Sequence, residues 1–363
     1  MKKLTLFATY LLLFLPFCYA QAEYYGYYEG QYATTKNYQN GYHKLRVDLE
    51  TSSDKFQFKT NFNVVNYFGK TGFVYGDIIP VELTEYEKNI PFTYFDTLYL
   101  DNLFAKHYLK SLDITLGKQQ LSFGSGYAFN PTDIFNKKEI SDPQYEQAGV
   151  NAIRADIPLG EQSISTFVYS YDEDFDKSTK MVSLKRNIDR FDVELFFGDK
   201  QLSRGKREVF GFSTVGQVFD FGVFNETAFN NTKEDFWEIT TGIDYTFDGG
   251  LFLLAEWFFA SYGTSGDYTK TEWISYLASD TKSLTKHQIF VLGNYPIADL
   301  ITLESSFALA PADPSVALFP AVNYSFSENI DILLKASASF GKTNSQYSGS
   351  FDKTLFLQTK LYF

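Results

Sequence analysis

From Glu23 to the last residue the chain repeats one local pattern, segments of about ten residues in which apolar and polar side chains alternate. A period of two belongs to a strand with one apolar and one polar face. In Gly41 to Thr51, His43, Leu45, Val47 and Leu49 take one face, and Tyr42, Lys44, Arg46, Asp48 and Glu50 the other. In Lys55 to Tyr67, Phe56, Phe58, Phe62 and Val64 oppose Lys55, Gln57, Lys59, Asn61 and Asn63. In Ile330 to Phe340, Ile330, Ile332, Leu334, Ala336, Ala338 and Phe340 oppose Asp331, Leu333, Lys335, Ser337 and Ser339. No stretch after Phe17 is apolar for long enough to be a spanning helix.

The connections alternate in length. Short turns fall at Thr51–Asp54, Lys110–Ser111, Pro158–Gln162, Asn187–Arg190, Phe219–Phe221, Asp248–Gly250, Ile297–Asp299 and Ser327–Asn329. Between them lie polar loops at 68–96, 124–148, 172–178, 201–206, 230–235, 263–285, 310–314 and 341–352. With a first strand over Glu23 to Ala33, this rhythm predicts about 18 strands, with 16 as the alternative, because both ends lie on one side and the count must be even. A sheet with an apolar face in hydrocarbon must close, since each unpaired edge amide costs several kcal/mol. The expected fold is an all-β, transmembrane antiparallel β-barrel. A mean hydropathy of −0.22 fits, because lipid-facing and lumen-facing residues average out. Aromatics make up 19% of the chain, enough for girdles at both interfaces. A barrel this wide cannot be filled by its own side chains and leaves an aqueous channel, so the architecture points to transport.

The first twenty residues read as an export signal. Lys2 and Lys3 precede a short apolar run from Leu4 to Phe17, and Cys18-Tyr19-Ala20 forms a small-x-small cleavage site. The expected organisation is a signal peptide over 1–20 and a single barrel domain over 21–363. Cleavage would remove Cys18, the one cysteine, so no disulfide is available. It would also remove Lys2 and Lys3, leaving 30 Lys+Arg against 44 Asp+Glu, a net charge of −14. That balance argues against nucleic acid as a partner.

At the other end, Leu355, Leu357, Thr359 and Leu361 share one parity before a terminal Phe363. This resembles the last strand of Gram-negative outer-membrane barrels, which ends in an aromatic read by the assembly machinery. The resemblance implies an outer-membrane location, with lipid around the wall and Phe363 as the assembly signal. A second stretch is Leu116-Gly117-Lys118-Gln119-Gln120-Leu121-Ser122-Phe123-Gly124-Ser125-Gly126, then Asn130-Pro131-Thr132-Asp133. It is similar to a Gly-Arg/Lys-Gln strand, aromatic-Gly turn and Pro-x-Asp loop of porin-like families, including the alginate-export group. Gly117, Lys118, Gln119, Phe123, Gly124, Pro131 and Asp133 fit, while Phe123 stands where Trp is common. The resemblance implies passive diffusion of small hydrophilic solutes. A channel specific for sugar acids or organic acids, and a barrel-anchored adhesin or receptor, are the alternatives.

This segment is the fifth strand and the third outer loop. In porins that loop folds inward, so 124–148 is the expected constriction, against the alternative that it lies over the mouth. Gly124 and Gly126 would allow the bend and Pro131 would stiffen it. Asp133, Glu139, Asp142 and Glu146 would supply negative charge beside Lys137 and Lys138. Lys44, Arg46, Lys55 and Lys59 would form a basic wall, with Arg154, Asp156, Glu194, Glu238, Glu304, Lys335 and Lys360 also facing the lumen. Acidic loop against basic wall predicts a transverse field, and the net charge a weak cation preference. Phe252, Leu254 and Phe258 share a face with Glu256, so rings reach the lumen side there, as a solute track or as packing. If Leu112, Ile114 and Leu116 face lipid, parity turns Lys118 outward too, unless a bulge at Gly117 flips the register.

Enzymatic chemistry is not expected. Only His43, His107 and His287 exist, on well-separated strands, and no phosphate-binding Gly loop precedes a helix. No cofactor is expected. Oligomeric state stays open between monomer and homotrimer.

Overall fold

The computed structural model describes residues 22–77, 79–140, 145–171, 177–202, 205–347 and 353–363. The export signal and Asp142 lie outside the described residues.

The alternating segments form one sheet of nineteen strand segments. Two of these, Thr97–Tyr99 and Leu103–Tyr108, pair along the same neighbour, Phe56–Gly69, and are halves of one interrupted strand. The wall therefore has eighteen strands, the larger of the two expected numbers. The sheet closes on itself. The first strand, Glu23–Thr34, pairs antiparallel with the second, Gln39–Ser53, and with the last, Thr354–Tyr362. Gly26 and Phe363 exchange backbone hydrogen bonds of 3.0 and 3.1 Å at the seam. Closure leaves no edge to be desolvated in hydrocarbon.

Parity decides which side chains face out. Leu45, Leu49, Phe62, Val64, Leu334, Leu355 and Leu357 are 38–48% exposed, while Asp48, Asn61 and Asn63 on the opposite parity are at most 3% exposed. An exposed apolar belt of this kind suits a lipid surface. Phe219, Tyr295 and Phe326, near the short turns, and Trp237 and Tyr171, near the loops, are among the exposed rings at the two rims. No helix among the described residues is long and apolar enough to cross a membrane.

The register through Gly117 is unbroken. Leu116 pairs Ala105 and Ile153, and Lys118 pairs Leu103 and Asn151, with no shift between them. Lys118 thus shares the outward parity of the 42%-exposed Leu116, near the loop end of its strand. Gly117 instead meets a close approach: a Cβ would lie 2.2 Å from the Leu103 carbonyl oxygen.

The interruption at Leu100–Asn102 is repaired from the next strand. Asn61 Oδ1 accepts from Asp101 N (2.9 Å) and Asn102 N (3.1 Å), and Asn61 N donates to the Asn102 carbonyl. These replace the missing ladder bonds.

The longer loops pack over one mouth. Helix Lys270–Leu277 starts in a capping box of Thr269 and Glu272. It buries Trp273 with Ile79, Leu83, Tyr268 and Leu284. Trp273 Nε1 donates to Asn344 Oδ1 at 2.7 Å, Tyr268 Oη to Asp313 at 2.6 Å, and Lys270 to Glu87 at 2.7 Å. The helix loop is thereby tied to the loops that carry Glu87, Asp313 and Asn344.

Candidate functional site

The fifth wall strand, Asp113–Gln119, hands over to a segment that turns into the barrel. Gly124 has φ +87 and touches the Glu226 carboxylate so closely that a Cβ would sit 2.4 Å from it. A Cβ on Gly126 would lie 1.8 Å from the Phe129 carbonyl oxygen. Both glycines are therefore required by backbone shape and crowding.

Once inside, the loop has many backbone amides and no strand to pair with. Three carboxylates collect them. Glu226, from the eleventh strand Phe221–Asn231, accepts from Ser125 N (2.8 Å), Gly126 N (3.1 Å), Thr132 N (2.6 Å) and Thr132 Oγ1 (2.7 Å). Glu256, from the thirteenth strand Phe252–Ala260, accepts from Tyr127 N (2.6 Å), Ala128 N (3.0 Å) and Phe129 N (2.7 Å). Asp133 accepts from Phe123 N, Phe135 N and Asn136 N at 2.9–3.2 Å. Such charge-assisted bonds are the stronger kind, and fully satisfied they make a buried carboxylate tolerable.

Amines take the loop's carbonyls. Lys200 Nζ donates to Ile134 O (2.8 Å), Lys282 Nζ to Asp133 O (3.0 Å) and Lys138 Nζ to Gly126 O (2.8 Å). Apolar packing fills the remainder. Phe129 stacks on Phe258 with centroids 4.6 Å apart, and Phe123 meets Phe196 edge-on. The loop thus lies inside the barrel, clamped against the inner face of the sixth to sixteenth strands.

The far end of the loop ties to the first two strands. Glu146 bonds Lys44 Nζ and Tyr27 Oη and lies 3.1 Å from Arg46 Nη1. Burial pushes its carboxyl up, but the bonds from Lys44 and Tyr27 and the charges of Lys44 and Arg46 outweigh this and hold it at about 2.

Several expectations need correction. Asp133 is 2% exposed, so it organises the loop's own backbone and does not line the channel. Burial, the largest influence, pushes its carboxyl up against the opposing pull of Lys282 and three amides. Glu139 is exposed at the loop surface. Lys55 is not on the wall: it is exposed in the turn between the second and third strands, Gln39–Ser53 and Phe56–Gly69. Lys44 and Arg46 do face the lumen, but Glu146 is in contact with them, so no field spans an open gap there.

The remaining wall charges are largely neutralised by neighbours. Lys59 pairs with Glu50 (3.3 Å), Arg154 with Asp156 (2.9 Å), Lys106 with Asp113 (3.2 Å), Lys185 with Asp192 (2.9 Å) and Lys360 with Glu29 (3.3 Å). These pairings cancel the wall charges that a transverse field would need, whereas the cation preference expected from the net charge does not rest on them. Phe258 and Leu254 face inward but are covered by the loop, at 0% and 4% exposure, so these side chains are packing and not a solute track.

Glu226, Glu256, Lys200 and Lys282 were not singled out from the sequence as clamps. A signal exists: Phe224-x-Glu226-x-Ala228 and Leu254-x-Glu256-x-Phe258 each place a carboxylate between apolar residues on lumen parity. In a wet lumen those neighbours would be polar, so apolar flanks mark a covered wall. Among the described residues no group of three or more His, Cys, Asp or Glu could hold a metal ion.

An eighteen-stranded antiparallel barrel with an apolar outer belt, short turns at one rim and a third loop folded into the lumen has the fold of Gram-negative outer-membrane porins. Among solved structures, the chain is similar to a doubly substituted form of OccD1 (OprD), with a TM-score of 0.62 and 7% identity over 95% of this chain and 97% of that one. It is similar to OccK8 (OprE) of Pseudomonas aeruginosa, with a TM-score of 0.59 and 9% identity over 94% and 98% of the two chains. OccAB4 of Acinetobacter baumannii gives a TM-score of 0.58 and 10% identity over 94% and 98%. No protein-family model and no curated protein matches the sequence.

Proposed function

We propose that the mature chain, residues 21–363 after loss of the signal peptide, sits in the outer membrane of a Gram-negative bacterium as a diffusion channel for small hydrophilic solutes. The observation that carries this reading is the clamping of residues 125–132 inside the barrel by Glu226 and Glu256. A loop held by its own amides narrows a lumen without depending on a partner. The wall carrying Lys59, Lys106, Arg154, Lys185 and Lys360 keeps a polar, charged lining, as water and polar solutes require. A channel fits better than an adhesin, because the tied loops bury Tyr268 and Trp273 over the mouth instead of presenting them. Phe363 serves as the assembly signal in this reading.

The test is single-channel recording of the refolded mature protein in a planar bilayer. Large, stable conductance steps are expected. Insertion without steps would mean a sealed lumen and would overturn the proposal.

A further inference from the structure

The inward turn of the third outer loop lowers the barrel rim on one side. The fifth strand leaves the wall after Gln119, and Leu121 is already inside, at 0% exposure. The sixth strand, Val150–Pro158, starts only at Val150, and the fourth is broken at Leu100–Asn102. A notch results on the outer face of the wall. Its floor is at the level of Lys118, which pairs Leu103 on one side and Asn151 on the other. Leu103 pairs Thr60 of the third strand, whereas Leu98 pairs Val64, nearer the outer end, so Leu98 stands above the floor. Leu98 is 69% exposed, against 47% for its partner Val64.

The notch holds a groove of about 550 Å³ with two kinds of lining. Phe62, Leu98 and Leu103 supply apolar surface. Lys118, Asn151 and Tyr171 supply an amine, an amide and a phenol at one height, since Tyr171 follows Ser170, which pairs Ala152 next to Asn151. Among the described residues, none of these three side chains has a hydrogen bond or an ion pair, and no carboxylate lines the groove. The acids of the adjoining fourth strand are engaged elsewhere. Asp101, in the break, is turned inward, 5% exposed, and accepts from Asn63 Nδ2 at 3.1 Å. Asp96, higher on the rim, accepts from Asn66 Nδ2 and Tyr67 N at 2.7 and 2.8 Å. Further round the outer rim, outward lysines are paired: Lys180 and Lys206 both reach Asp199, and Lys206 also reaches Glu208.

A lysine on the lipid side of a barrel is unfavourable in proportion to its depth, and the notch sets Lys118 below the neighbouring rim. An anion at its ammonium relieves that cost. We propose that the groove holds one outer-leaflet lipid that carries a phosphate monoester. The phosphate sits against Lys118 Nζ, with the Asn151 amide and the Tyr171 hydroxyl as further donors. A phosphate has several oxygens for several donors, and lysine serves it as a point charge. An acyl chain lies over Phe62 and Leu103 toward the apolar belt. A zwitterionic lipid brings a cation of its own to a groove that has no carboxylate, and is disfavoured. The site lies outside the wall and does not depend on conduction.

The folded mature barrel, in neutral detergent with EDTA, is mixed with dipalmitoyl phosphatidic acid, dipalmitoyl phosphatidylcholine or dipalmitoylglycerol. Bound lipids are counted by native mass spectrometry. Expected is one phosphatidic acid, held about tenfold or more tighter than either of the others. Lys118→Gln lowers that affinity about tenfold, Asn151→Leu lowers it about threefold, and Lys118→Arg keeps it. All three variants retain the heat-modifiable gel shift of the folded barrel. Lys180→Gln, outward and already 3.8 Å from Asp199, leaves the affinity unchanged. Equal retention of the three lipids, unchanged affinity in folded Lys118→Gln, an equal loss in Lys180→Gln, or a barrel dimer in place of a lipid adduct would overturn the proposal. So would binding that appears only when calcium replaces EDTA, which would assign the lipid to a metal bridge. A barrel that holds the lipid but shows no conductance steps would overturn the channel reading and leave the site standing.

Discussion

Thr132, in the loop after the fifth strand, donates both its backbone N–H and its hydroxyl to one oxygen of Glu226, at 2.6 and 2.7 Å, across 94 residues of sequence. These two contacts, with those from Ser125 and Gly126, make Glu226 the point on which the inward loop hangs.

Glu226→Gln replaces one accepting oxygen with an NH₂ group facing donors. Each buried donor left unmet costs about 1–3 kcal/mol, so the clamp weakens by several kcal/mol while the closed wall remains. Single channels of the variant should show larger and noisier conductance than the native barrel. Limited trypsin digestion in detergent should cut at Lys137 or Lys138 where the native chain resists. A quiet channel of native conductance would remove Glu226 from this role.

The tie at the other end of the loop should resist acid. Glu146 is held at about 2, below the ordinary glutamate value, so its contribution is complete above about pH 4.5 and is lost as pH falls through about 2. Conductance attributable to loop position should therefore stay level from pH 7 to pH 4.5. Glu146→Gln should show at neutral pH the loop release that the native protein shows only near pH 2. A native transition between pH 5 and 7 that Glu146→Gln abolishes would contradict this.

Arg207 and Glu238 form a buried pair at 3.2 Å, with side-chain exposures of 4% and 0%. Asn230 and Tyr262 complete their bonding. Arg207→Ala leaves a buried carboxylate without its cation, a loss of about 3–5 kcal/mol. The folded band on a heat-modifiability gel should disappear at a lower temperature than for the native barrel. Arg207→Ala combined with Glu238→Gln should recover part of that loss, because the stranded charge is gone. Unchanged melting in the single variant would show that water reaches this pair.

The wall was legible through parity, except at Lys55, which falls in the turn after the second strand. Leu45, Leu334 and Leu355 turn outward, and Lys44, Lys335 and Lys360 inward, as parity required, because a strand permits only two side-chain directions. Turn positions and the closure through the strand ending at Tyr362 followed from the same two-fold period and from the cost of an open edge in lipid. The loops were not legible in this way. Asp133 and Glu146 look alike in sequence, yet one is sealed beneath the loop's own amides and the other is bound to Lys44 and Arg46. Glu226 meets Thr132, and Lys282 meets the Asp133 carbonyl, through contacts that no local period encodes. The barrel follows from the amino-acid pattern alone, since alternation and hydrocarbon leave one solution. Where the charges of the lumen act emerges only once the chain is folded, because a loop's path depends on which distant side chains can satisfy its unpaired backbone.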